Sequence, residues 1–209
     1  MKTPGLRTFA LYLLPFAFLG GLVYFLASLV LNGADWVAQP YNGHIYAEDA
    51  TLSAGTITDR DGMILASTED GARTYAESES VRRSLLHTVG DSSGYIGTSV
   101  QATHRSQLIG WNLFTGLNDT IFSGLGTDIR LTIDADANAA AYDAFGGHDG
   151  AAFIYNYETG EVLVKISAPT YDPMNVPEDP SENEEYEGVF ADHTLSSSYT
   201  PGSIFKLVT

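Results

Sequence analysis

The sequence predicts an α+β protein tethered to a membrane by one amino-terminal helix. Three observations carry that prediction. Residues 9–31 form a run of 23 residues without a charge. Apolar stretches on either side of Asp61-Gly62, and again on either side of Glu158-Thr159-Gly160-Glu161, have the composition of strands joined by turns. An alanine-rich stretch after Asp134 separates these two strand pairs and has the composition of a helix.

The first element is the apolar run FALYLLPFAFLGGLVYFLASLVL. At 1.5 Å per residue it covers about 35 Å, enough for a hydrocarbon core of about 30 Å. Pro15 and Gly20-Gly21 are tolerable in a membrane helix. Lys2 and Arg7 precede the run, and acidic residues follow it. That asymmetry places the amino terminus in the cytoplasm and the rest outside. A cleaved signal peptide is the rival reading. It calls for a shorter apolar core and a small-x-small cleavage site, and Leu31-Asn-Gly-Ala34 is a poor one. An uncleaved anchor is expected. Trp36, Tyr41 and Tyr46 follow it, with either the membrane interface or the next domain as their setting.

Thr56-Ile57-Thr58 and Met63-Ile64-Leu65 read as a hairpin closed by Asp61-Gly62. Asp59, Arg60 and Asp61 fit turn chemistry with a structural Asp–Arg pair better than a charged site. Val81, Leu85, Leu86 and Val89 suit a short helix that Gly90 stops. His87 within it is expected to be packed or hydrogen-bonded, because no serine or cysteine motif stands beside it. The histidines at 44, 87, 104, 148 and 193 never reach His-x-x-x-His spacing, so no metal site is indicated. Leu131-Thr-Ile-Asp134 reads as a strand ending at a helix cap. Ala137, Ala140, Ala141, Ala144 and Phe145 would then line one side of the helix, which Gly146-Gly147 ends. Ala152–Tyr155 and Val162–Ile166 are nearly continuous apolar runs, as in strands covered on both faces by helices. Six acidic residues between Glu178 and Glu187 read as a solvated loop, since no Asp-x-Asp-x-Asp-Gly calcium loop is present.

Composition excludes several function classes. The 209 residues contain no cysteine, which removes thiolate nucleophiles, disulfides and cysteine-based zinc sites. The net charge is −16, and all 26 acidic residues lie after residue 34. Nucleic acid would meet the wrong sign of charge.

The chemistry concentrates in Ser198-Tyr-Thr-Pro-Gly-Ser203-Ile-Phe-Lys206-Leu-Val-Thr209. Pro201-Gly202 suits a turn into a helix, where positions i and i+3 share a face. The Ser203 hydroxyl and Lys206 amine then point into one space, as a serine nucleophile and its base require. Lysine serves as a base only when burial or a nearby cation lowers its pKa. Ile204, Phe205, Leu207 and Val208 supply an apolar setting. Taken alone, Ser-x-x-Lys fits equally a helix start with Ser203 as the cap and Lys206 in solvent.

Three upstream stretches bear on that choice: Gly55-Thr-Ile-Thr-Asp-Arg-Asp-Gly-Met-Ile-Leu-Ala66, Leu131-Thr-Ile-Asp134, and Gly150–Val164 running on to Ser167-Ala-Pro-Thr-Tyr-Asp-Pro173. Together with Tyr199–Lys206 they resemble, in order and interval over residues 40–209, the class B penicillin-binding proteins. These are membrane-anchored D,D-transpeptidases that cross-link peptidoglycan and are acylated by β-lactams. The resemblance implies a cytoplasmic tail and anchor over residues 1–34 and a non-catalytic pedestal over 35–127. It implies the start of a transpeptidase domain over 128–209, with an antiparallel sheet between helices. Ser203 would be the acylated nucleophile and Lys206 its base, with no cofactor and no metal. The substrate would be a D-Ala-D-Ala-ended stem peptide, with other cell-wall synthesis proteins as partners. Lys206 would accept the proton of Ser203 as it attacks the penultimate carbonyl, and an amine from a second strand would resolve the acyl-enzyme. The family's Ser-x-Asn and Lys-Thr-Gly motifs are not in these 209 residues. The expectation is an amino-terminal part that is incomplete and inactive alone. A β-lactam sensor and a non-catalytic cell-wall scaffold are the alternatives. An added glycosyltransferase domain is not expected in the roughly one hundred residues between anchor and transpeptidase start.

Overall fold

The computed structural model describes residues 5–37, 54–70, 72–110, 126–195 and 206. Helix α1 (Leu6–Val37) contains a stretch, Leu11–Gly33, long and apolar enough to cross a membrane, with mean hydropathy 2.1. Leu11, Tyr12, Phe16, Phe18, Tyr24 and Phe25 of that stretch are exposed, as suits side chains whose solvent is lipid. Pro15 lies inside the helix. Trp36 is exposed near its end. Tyr41, Tyr46 and residues 111–125 lie outside the described residues.

The first sheet joins β1 (Ile57–Thr58), β2 (Ile64–Glu69), β3 (Ala72–Tyr75) and β4 (Ile129–Arg130) in the order β3-β2-β1-β4. The expected hairpin is present: β1 and β2 are antiparallel, and Gly62 takes the positive φ of 93° between them. Asp59 holds this turn. One carboxylate oxygen accepts the Asp61 and Met63 amides at 2.9 and 2.8 Å, and the other accepts the Ala135 amide. Its partners are thus backbone amides; among the described residues it forms no ion pair with Arg60. Strand β4 runs parallel to β1. It lies beyond residue 127, so hydrogen bonds cross the expected pedestal boundary. At that crossing a Cβ on Gly55 would collide with the Thr127 carbonyl, so only glycine admits the close approach.

Helices α2 (Glu79–Ser84) and α3 (Leu86–Val89) pack beside this sheet. Ile57, Leu65, Val81, Leu85, Leu108 and Ile133 form its core. The single helix expected through Val89 is broken at Leu85, which takes φ −102° and ψ 6° and serves as cap to both pieces. Short helices α4 (Val100–Thr103) and α5 (Arg105–Leu108) follow.

Helix α6 (Ala135–Phe145) starts at Asp134, whose carboxylate accepts the Ala137 amide at 2.9 Å, and ends at Gly146 in the left-handed region. Its buried face differs from the one the alanine spacing predicts. Ala140 and Ala144 are exposed, and the deeply buried positions are Ala135 and Asn138. The reason is polar. The Asn138 side chain donates to the Leu163 carbonyl at 3.0 Å and accepts the Lys165 amide at 3.0 Å, stitching the helix to the strand beneath it.

That strand is β6 (Val162–Ala168), antiparallel to β5 (Gly150–Tyr155). The expectation of strands covered on both faces holds for β6 alone. Val164, Ile166, Ser167 and Ala168 are buried, whereas Phe153, Ile154 and Tyr155 of β5 are exposed. A second small core of Leu86, Ile96, Tyr171 and Val189 lies past the end of β6. The acidic loop carries a 3-10 turn over Glu184–Tyr186, and Glu184, Glu185 and Glu187 are solvent-exposed.

Candidate functional site

Ser203 lies outside the described residues, and Lys206 is an exposed residue in a 3-10 turn. The described segment nearest to them in the chain is Val189 to Leu195, which lies against β6 and α3. The physical question is what holds that segment in place.

Four directional contacts hold it. His87, buried on α3, bonds through Nε2 to the Val189 carbonyl at 2.7 Å. Ser167 on β6 accepts the His193 amide at 2.9 Å and donates to the Ala191 carbonyl at 3.4 Å. Lys165 on β6 pairs with Asp192 at 2.5 Å, the two side chains keeping only 15% and 1% of their surface. The other Asp192 oxygen accepts the Thr194 amide at 3.0 Å and hydroxyl at 2.5 Å. Leu195 closes the turn by donating to the Asp192 carbonyl at 3.0 Å.

Electrostatics follow from burial and charge. Burial acts to raise the Asp192 pKa. Hydrogen bonds from Lys165 and Thr194, with the lysine charge, outweigh it and hold the carboxyl below its ordinary range. Burial lowers the His87 pKa, with Lys165 and His193 acting in the same direction, against the Val189 carbonyl and Asp192. His87 is therefore a neutral structural ring, as its sequence context suggests.

A second anchor fixes the loop leaving β6. Arg82 forks onto Asp172 with two bonds of 2.7 Å and also donates to the Ala76 and Glu77 carbonyls. The hydrogen bond to Arg82 depresses the Asp172 pKa. Arg83 next to it reaches the Thr170 carbonyl at 3.2 Å. Tyr171 beside this loop is buried, which raises its phenol pKa, with Asp91 adding to the effect.

Sequence reasoning singled out Ser203 and Lys206 as candidates and read His87 as structural, which its burial and its bond to the Val189 carbonyl bear out. It missed Asn138, Lys165 and Asp192. Lys165 offered one signal, as the single charge inside a mostly apolar strand; nothing local pointed to Asp192.

Residues 150–209, which include Ser203, Lys206, β6 and the Val189–Leu195 segment, match the family model of the penicillin binding protein transpeptidase domain. Over that stretch the chain is similar to the penicillin-binding proteins. Peptidoglycan D,D-transpeptidase PbpA of Mycolicibacterium smegmatis is 26% identical over 194 residues, covering 82% of this chain and 39% of that protein. Two solved structures share the fold. PBP2 of Pseudomonas aeruginosa, in complex with WCK 5153, has a TM-score of 0.57 at 25% identity, covering 75% of this chain and 37% of its own. The D,D-transpeptidase domain of a peptidoglycan glycosyltransferase from Eggerthella lenta has a TM-score of 0.58 at 28% identity, covering 76% and 36%. The 209 residues thus span less than two fifths of the length of each.

Proposed function

We propose that this chain is part of a class B penicillin-binding protein, a peptidoglycan D,D-transpeptidase that works through an acyl-serine on Ser203. The observation that carries this reading is the family match over residues 150–209, because it takes in Ser203 and Lys206 in a Ser-x-x-Lys pattern. Ser203 attacks the penultimate carbonyl of a D-Ala-D-Ala-ended stem peptide, Lys206 takes its proton, and D-alanine leaves. An amine of a second stem peptide then attacks the ester, releases Ser203 and forms the cross-link. The Ser203 amide supplies one donor to the developing oxyanion. Residues 35–127 serve as the non-catalytic pedestal and 128–209 as the start of the transpeptidase domain. Their shared sheet and core make them one mechanical unit.

Helix α1 anchors the protein, with Lys2 and Arg7 in the cytoplasm and the residues after 34 outside. These 209 residues contain no cysteine, so one introduced into this chain reports on its topology. A Tyr157→Cys variant, at a residue 83% exposed, is expected to react in intact cells or spheroplasts with a membrane-impermeant maleimide. Labelling only after lysis would reverse the orientation.

The activity is tested with a fluorescent penicillin on the protein expressed from its complete gene. Wild type is expected to label, with the adduct mapping to the peptide containing Ser203, and Ser203→Ala to lose the label. An adduct on another side chain, or a wild type that stays unlabelled, would favour a non-catalytic scaffold.

A further inference from the structure

Resting on the transpeptidase reading, we infer that the buried Lys165–Asp192 ion pair is a positioning device that sets how fast Ser203 acylates. Lys165 is a fixed point. Its amide is held by Asn138 of α6 and its strand by the pairing with β5, so its ammonium group starts from a rigid origin. Its ammonium also lies 3.5 Å from the His87 carbonyl of α3. Asp192 is the opposite kind of residue, in a turn without regular structure. Its carboxylate faces Lys165 on one oxygen and Thr194 on the other, so the pair ties the turn to the strand. Leu195, which this turn closes on, is eight residues before Ser203.

An apolar contact at this place would hold the turn without fixing its register. A buried ion pair is directional, and its best-attested use is to select one arrangement among several of similar packing. It also carries a desolvation cost that an apolar pair of the same volume avoids. Lys165 and Asp192 are therefore better explained by placement than by stability. Placement matters here because a displacement of about 1 Å at a reacting group can slow a reaction about 100-fold.

The two roles separate in a pair of variants of the full protein from its complete gene. Lys165→Met leaves a lone buried carboxylate and is expected both to lower the melting temperature and to slow acylation. Lys165→Met/Asp192→Asn buries no lone charge, so its melting temperature returns close to that of wild type. Its acylation stays slow, by about tenfold or more, because the directional tie is still missing. The readout is the second-order rate constant for a fluorescent penicillin, normalised to sites counted by complete labelling, so that misfolded protein does not enter. If Lys165→Met fails to fold, the double variant alone decides. A double variant that acylates at the wild-type rate would overturn the inference and leave the transpeptidase reading standing. A wild type that never labels at Ser203 would overturn both.

Discussion

The four-stranded sheet and the β5–β6 hairpin are built on different physics. The first sheet closes over side chains that exclude water: Ile57, Leu65, Ala66, Val81 and Leu85 are each no more than 5% exposed. The hairpin buries one strand and exposes the other, and polar contacts from Asn138, Lys165 and Ser167 join its buried strand to its neighbours. Apolar burial is strong but non-directional, which suits a support. Hydrogen bonds and ion pairs contribute less net stability but fix geometry, which suits a segment that leads toward the candidate Ser203. The hairpin is thus held to its neighbours largely by directional contacts, and the four-stranded sheet by burial.

The largest expected effect tests the burial side of this contrast. Leu85→Ala should destabilise the 209-residue chain by about 3 kcal/mol, read by denaturant unfolding in detergent micelles, because Leu85 is 2% exposed. A loss below about 1 kcal/mol would mean that the first core collapses around the gap.

Next comes the link between the two regions. Arg82 on α2 and Asp172 after β6 form a forked pair with each side chain 14% exposed. Arg82→Met should cost about 2 kcal/mol, below the range for a fully buried pair since both side chains keep some contact with water. It should also split one unfolding transition into two, seen as probes in the two regions that no longer melt together. Coincident melting would show that the shared core alone couples them.

A smaller effect is the pH dependence, which belongs to the polar side. His87 has a lowered pKa, so below about 6.5 the unfolded chain takes up a proton that the folded chain refuses. Stability therefore falls as pH drops through that value toward the folded pKa. Asp172 and Asp192 have depressed pKa values, so their contribution is present above the ordinary carboxylate range and is lost as pH falls through the folded values. Both act in the same direction. Melting temperature should decline from pH 7.5 to 5.5, and His87→Gln should flatten that part of the curve. An unchanged slope in His87→Gln would remove His87 as its source.

The smallest effect is expected on the open strand. Phe153→Thr replaces a side chain 50% exposed on β5 and should change the stability of the 209-residue chain by less than about 0.5 kcal/mol. A larger loss would show that something covers this face, and the contrast between the two strands would narrow.

Much of this was legible in the sequence because it is local. The Asp61-Gly62 hairpin, the Asp134 cap, the Gly146 stop and the Glu158–Glu161 turn each depend on residues within a few positions of one another. Charge and hydropathy likewise marked α1, and the Ser-x-x-Lys spacing with its flanking stretches marked the family. The face of α6 was misread because alanine spacing says nothing of an asparagine that bonds a strand backbone 25 residues away. The Asp192 partner lies 27 positions back on β6, and the Arg82 partner 90 positions ahead, so neither pair leaves a pattern in any window.

By itself, then, the sequence pointed to most of the local elements, a membrane-length helix, a family resemblance and a candidate nucleophile with its base, since those readings rest on short-range periodicity, turn chemistry and motif order. Only the tertiary structure decided which charges meet, which strand of the hairpin is buried and how the first sheet recruits β4 across the expected boundary. Such pairings depend on which surfaces come together once the elements pack, and strand composition alone fits several arrangements equally well.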